Sequence, residues 1–140
     1  MTNTASHKRL RYDRVEVEEL PGGQCRVKVY IALGDRIIEK HAINSNDGTG
    51  RLKAAAVATL KAIEESVEGR FTAVLADLDH VNALGKDLIA VLVDVVFESK
   101  EVQVFGSCQI AGNELDAAVK SALNSTGDYP QREHPAKRQI

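Results

Sequence analysis

Residues 49–63 read TGRLKAAAVATLKAI, and residues 112–126 read GNELDAAVKSALNST. Shifting the first by 63 positions lays Leu52, Ala54, Ala55 and Leu60 on Leu115, Ala117, Ala118 and Leu123. Both stretches are entered through glycine. In the first, Leu52, Ala55, Ala56, Leu60 and Ile63 fall at helical spacing. In the second, Leu115, Ala118, Val119, Ala122 and Leu123 do the same. The stripes are made mostly of small residues, which let a helix lie close on a sheet. Asn113 suits the cap of the second helix, and Asp116 suits the positive end of its dipole.

The segments ahead of each helix also repeat. Residues 14–20, RVEVEEL, alternate as a strand does, and PGGQ at 21–24 is a turn. In 25–33, CRVKVYIAL, Cys25, Val27, Val29, Ile31 and Leu33 share one face, while Arg26, Lys28 and Tyr30 share the other. That alternation predicts a half-buried antiparallel strand. Gly34-Asp35 turns the chain into a third strand over 36–43. A loop over 44–50 then leads to a helix over about 51–66. The second half reads as a strand over 71–79, a loop HVNALGK, a strand within 87–97, a turn ESK, a strand VQVFGSC and the second helix. The expectation is an α+β fold of two strand–strand–strand–helix units, 14–68 and 71–126, packed about a pseudo-two-fold axis. Half a chain of this length is marginal alone, and two halves can share one core. Residues 1–13 read as a flexible arm, and the proline-containing 127–140 as a disordered tail.

The halves differ in one respect. Polar residues alternate through 25–33, whereas 88–97, LIAVLVDVVF, is apolar at nearly every position. Both faces of that strand are therefore expected to be covered. The second helix covers one. The other falls to the sister half, to an internal layer or to another subunit. We expect a homodimer with this strand near its interface.

The 140 residues carry a net charge of −2, 44% hydrophobic residues, 27% charged residues and 4% aromatics. The balance suits a soluble globular protein and offers no basic field for nucleic acid. No apolar run is long enough for a membrane span, and the polar start lacks a secretory core. Cys25 and Cys108 lack paired spacing and suit free thiols in a reducing cytoplasm. His7, His41, His80 and His134 have no ligand-spaced neighbours. No nucleophile elbow or phosphate loop occurs. Neither enzymatic activity nor a cofactor or metal is expected. The candidates for binding are the glycine-entered helix starts, NDGTG at 46–50 and AGN at 111–113, because free helix N–H groups attract an anionic group. The connector HVNALGKD at 80–87 is the third.

The duplicated unit, the glycine loops and the paired small residues resemble the C-terminal regulatory domain of 2-isopropylmalate synthase, to which the domain of citramalate synthase is similar. The family's Gly-x-Gly-Pro-Val-Asp-Ala pattern matches at Gly48, Gly50, Leu52 and Ala54, with Arg51 at the proline and Lys53 at the aspartate. Its Gly-x-Asp-Ala loop matches Gly85-Lys86-Asp87-Leu88. FGSCQIAGNELDAA stands for the start of its second helix, with Asn113 and Ala118 at the aspartate and serine. The resemblance implies a dimer that binds leucine or isoleucine as a feedback effector. Carried over, the ligand-binding positions are Gly48, Gly50, Leu52 and Ala54 in the first unit. In the second they are His80, Asn82, Gly85, Asp87, Ala90, Ile110 and Gly112. The family's catalytic barrel takes about 200 residues or more, for which this chain has no room. The expectation is a free-standing regulatory-type module acting on a separately encoded enzyme. A scaffold that dimerises without ligand is the alternative.

Overall fold

The structure, a computed structural model, describes residues 10–126. Eight elements follow in order: β1 (Leu10–Leu20), β2 (Gln24–Leu33), β3 (Arg36–Ser45), α1 (Gly48–Ser66), β4 (Phe71–Ala83), β5 (Lys86–Phe97), β6 (Lys100–Gln109) and α2 (Glu114–Thr126). The strands form two antiparallel sheets, ordered β1-β2-β3 and β4-β5-β6. The fold is α+β, built from a duplicated βββα unit. No described helix is long and apolar enough to cross a membrane.

Two sequence expectations need correction. Leu10–Asp13 belong to β1 rather than to an arm, and residues 1–9 and 127–140 lie outside the described residues. The connector HVNALGK is not a loop. β4 runs on to Ala83 and turns through two residues, Leu84 and Gly85, both at positive φ (56° and 76°). The alternation of Leu78, His80 and Asn82 is broken upstream by a bulge between Leu75 and Asp77, which hides the strand's length from a simple period-two reading. β1 carries a bulge of the same kind between Tyr12 and Arg14.

The duplication holds at the level of register. β2 buries Cys25, Val27, Val29 and Ile31 on its inner face; β5 buries Ile89, Val91, Val93 and Val95 at the equivalent positions. α1 packs on β2 and β3, reaches β4 and lies against α2; α2 packs on β5 and β6 and reaches β1. Each helix thus touches the opposite sheet as well as its own. That is why α1 is buried through Ala54, Ala55, Ala56, Ala58, Leu60, Ala62 and Ile63 rather than along one stripe. Two glycines make the close helix–sheet approach. A Cβ on Gly50 would stand 2.1 Å from the Ser45 carbonyl oxygen, and one on Gly106 would stand 2.2 Å from that of Ser121. Ser121 is fully buried, and its hydroxyl donates to the carbonyl of Ile89 or of Ala117, each 2.7 Å away.

The helices run antiparallel. α1 starts beside the end of β3, where Asn46 N–H donates to Gly23 O (2.9 Å), and finishes beside its beginning, where Glu65 meets Arg36 and Lys40 (2.5 Å each). α2 starts next to the first residues of β1, where the Tyr12 hydroxyl donates to the Asp116 carboxylate. Tyr12 lies opposite Ile31 and Leu10 opposite Leu33, at the end of the first sheet where α1 finishes.

Candidate functional site

The antiparallel helices place the two glycine-entered turns at opposite ends of the molecule. At one end are Gly48, Gly50, Leu52 and Ala54. Asp47 caps α1 by accepting from Gly50 N–H at 2.7 Å, and that bond holds its carboxyl below the usual range. Gly50 is buried against Ser45, so its missing side chain serves packing. Leu52 and Ala54 are buried in the core, and Gly48 alone of the four is exposed.

The second-unit candidates gather at the other end. Asn82 donates to Asp87 at 3.0 Å. His80 stands 3.6 Å from Asp87 and 3.6 Å from Glu114 through its two ring nitrogens. Ile110 N–H donates to Asp87 O at 2.9 Å, which closes the turn before α2 onto β5. Gly112 holds φ +95° in that turn, and Gly85 holds φ +76° in the hairpin tip. Asn113 accepts from Leu115 N–H at 2.8 Å. Ala90 lies apart from this cluster, on the outer face of β5. Glu114 is the member of the cluster that the sequence reading missed; its place in the first turn of a glycine-entered helix was the available signal. The cluster is polar and solvent-exposed. Among the described residues, no group of three or more His, Cys, Asp or Glu is placed to hold a metal ion.

A hollow of about 630 Å³ lies elsewhere, lined by Arg36, Lys40, Lys61, Glu64, Glu65, Glu68 and Gly69. Most of its charged groups already have partners. Lys40 and then Arg36 hold Glu65 below the usual carboxylate range, Glu64 accepts from Ala73 N–H at 2.6 Å, and Lys61 donates to His41 O at 3.1 Å. Cys25 is buried and Cys108 half-buried, and both thiols are free.

The sharpest difference within the molecule is between the outer faces of the two sheets, the sides that carry no helix. On the first, Arg26 pairs with Glu18 (2.7 Å), Lys28 with Glu39 (3.4 Å) and Arg14 with Glu16 (2.8 Å), and the Arg14 guanidinium lies over the Tyr30 ring. These pairs neutralise the middle of the surface, and Ile37 and Ile43 stand exposed on its β3 side. On the second, the same positions of the central strand hold Ala90 for Arg26 and Leu92 for Lys28, and Phe105 stands for His41. Leu88 extends the row at one end and Val96, beyond Asp94, at the other, and Val81, Val74 and Phe105 flank it. Phe105 is 66% exposed and Val74 60%. β5 packs on β4, β6 and α2, and α2 occupies only its inner side.

No protein-family model matches the chain, and a search of the curated proteins finds no match.

Proposed function

We propose that the chain is a non-catalytic assembly module that pairs with a second copy of itself through the outer face of the β4-β5-β6 sheet. One observation carries this reading: the twin sheet tolerates Arg26, Lys28 and His41 where this one has Ala90, Leu92 and Phe105. The fold therefore does not require apolar residues there, and an exposed apolar patch otherwise lowers solubility. Twelve residues of central strand and two neighbours spaced ~4.8 Å apart present roughly 40 by 15 Å, or about 1,200 Å² over two copies. That area reaches the range of specific pairs. Asp77, Asp79 and Glu101 flank the apolar row and Asp94 interrupts it between Leu92 and Val96, against one lysine, Lys86. Two such faces repel through their flanks while their centres attract, so added salt should tighten the pair.

Light scattering at micromolar concentration tests the reading: a dimer that tightens with salt supports it, and a monomer at every salt concentration removes it.

A second reading is supported by the convergence of His80, Asn82 and Asp87 beside Glu114 and the Gly112 turn. In it the polar end binds a small metabolite, in line with the resemblance to regulatory domains that take branched-chain amino acids, and the pairing transmits the effect to a separately encoded enzyme. Such a ligand must bind two states unequally to act as an effector. Titration calorimetry with leucine, isoleucine, valine and 2-oxo acids decides it; absence of heat with all of them leaves the assembly reading alone.

A further inference from the structure

We propose that the free edge of β6, over Glu101–Phe105, takes up an extended basic segment of a partner protein as an added strand. In an antiparallel sheet alternate residues turn their N–H and C=O groups to opposite neighbours. Asn124 of α2 donates to Ser107 O at 2.9 Å, so Ser107 faces away from β5. Ile110 N–H donates to Asp87 O, so the even-numbered residues face β5. Glu101, Gln103 and Phe105 therefore direct their backbone groups outward, as Ser107 does.

The other edges carry caps, bulges or charges. On β4 the outward amides of Ala73, Leu78 and His80 are taken by the carboxylates of Glu64, Asp77 and Asp79, at 2.6, 2.8 and 2.9 Å. On β3 the His41 carbonyl receives Lys61 at 3.1 Å and the Ser45 amide meets Asn44 at 2.7 Å. β1 is bulged and carries Arg14, Glu16, Glu18 and Glu19. Charges, bulges and side-chain caps are the usual means of keeping an edge from pairing. β6 has an unbroken register and no charged residue from Val102 to Gln109. Among the described residues, no side chain caps the backbone of Glu101, Gln103 or Phe105.

The surroundings specify the occupant. A hollow of about 330 Å³ beside this edge is lined by Asp94, Glu101, Val102 and Gln103. Gln103 donates to Asp94 at 2.7 Å, and no described side chain pairs with Glu101. Two carboxylates and no cation call for Lys or Arg on the outer side of the incoming strand. Val102, on the inner face and 44% exposed, calls for an apolar residue at the alternating positions. About five residues fill the open length, at ~3.3 Å each. The backbone edge groups lie in the plane of the sheet, whereas Asp94 and Glu101 lie on its outer face, so the basic side chains of the added strand would sit at the rim of the face-to-face pair.

The test is amide exchange of the labelled, full-length chain with the capped peptide Lys-Val-Lys-Val-Lys, against Glu-Val-Glu-Val-Glu. Exchange at the Gln103 and Phe105 amides should slow by about tenfold or more with the basic peptide only. Gln103→Pro removes an outward donor that the β5–β6 ladder does not use, and should abolish the protection. Glu101→Lys, a surface change that leaves the backbone untouched, sets one lysine against Asp94 and should remove the preference for the basic peptide. Unchanged exchange at saturating peptide, equal protection by both peptides, or protection at β1 or β4 instead overturns the proposal.

Discussion

Lys28 and Leu92 occupy the same place in the two sheets, at the middle of the central strand on the side that carries no helix. Lys28 pairs with Glu39 and faces water, whereas Leu92 sits in an apolar row between Asp77 and Phe105. Because the surrounding folds are equivalent, each position acts as a control for the other. Replacing Leu92 by Lys should leave the fold intact, with the stability of the monomer, compared at a concentration where the natural pair has dissociated, changed by less than about 1 kcal/mol. Urea unfolding with and without the substitution measures this.

The glycines divide into two groups with opposite responses. Alanine at Gly50 or Gly106 drives a methyl into the backbone of Ser45 or Ser121 and should cost about 1–3 kcal/mol or more. Alanine at Gly48 meets open space inside α1 and should stabilise by about 0.5–1 kcal/mol. Chemical denaturation of the three single variants gives both signs in one series.

Leu84 is fully exposed and holds φ 56° at the tip of the β4–β5 hairpin. A two-residue turn of this kind prefers Asn-Gly. Leu84→Asn should raise stability by about 0.5–1 kcal/mol. A thermal midpoint that falls instead would mean that the leucine packs against something in solution.

Tyr12 joins β1 to the first turn of α2 through Asp116. Burial, and then the hydrogen bond to that carboxylate, raise the phenol above its ordinary value of 10.0. The native chain thus holds a proton that the unfolded chain releases. The contribution is whole below pH 10.0 and is lost as pH rises through the native value. Tyr12→Phe should cost about 1 kcal/mol at neutral pH and flatten the alkaline fall in stability. Denaturation of both proteins between pH 7 and 11 compares the slopes.

Much of the architecture was legible because the apolar periodicity repeats. The alanine rows of both helices and the alternating faces of β2 and β5 specify two like units. The bulges were not legible: nothing in the residue types near Asp13 or Ala76 announces an extra residue, and the one in β4 concealed that His80 and Asn82 lie on a strand. Gly106 was overlooked although a lone glycine within an alternating strand marks a close backbone approach. The candidate positions could be named from the sequence, and their separation within the fold could not. The setting of the helices rests on contacts between the two halves, such as Tyr12 with Asp116, 104 residues away in the sequence.

The most direct measurement is sedimentation equilibrium of the natural chain beside Leu92→Lys and Phe105→Lys, at low and high salt. Pairing through the outer face predicts a dimer for the natural chain, strengthened by salt, and folded monomers for both variants. A natural chain that sediments as a monomer throughout, or variants that dimerise as well as it does, would contradict the assignment of this face.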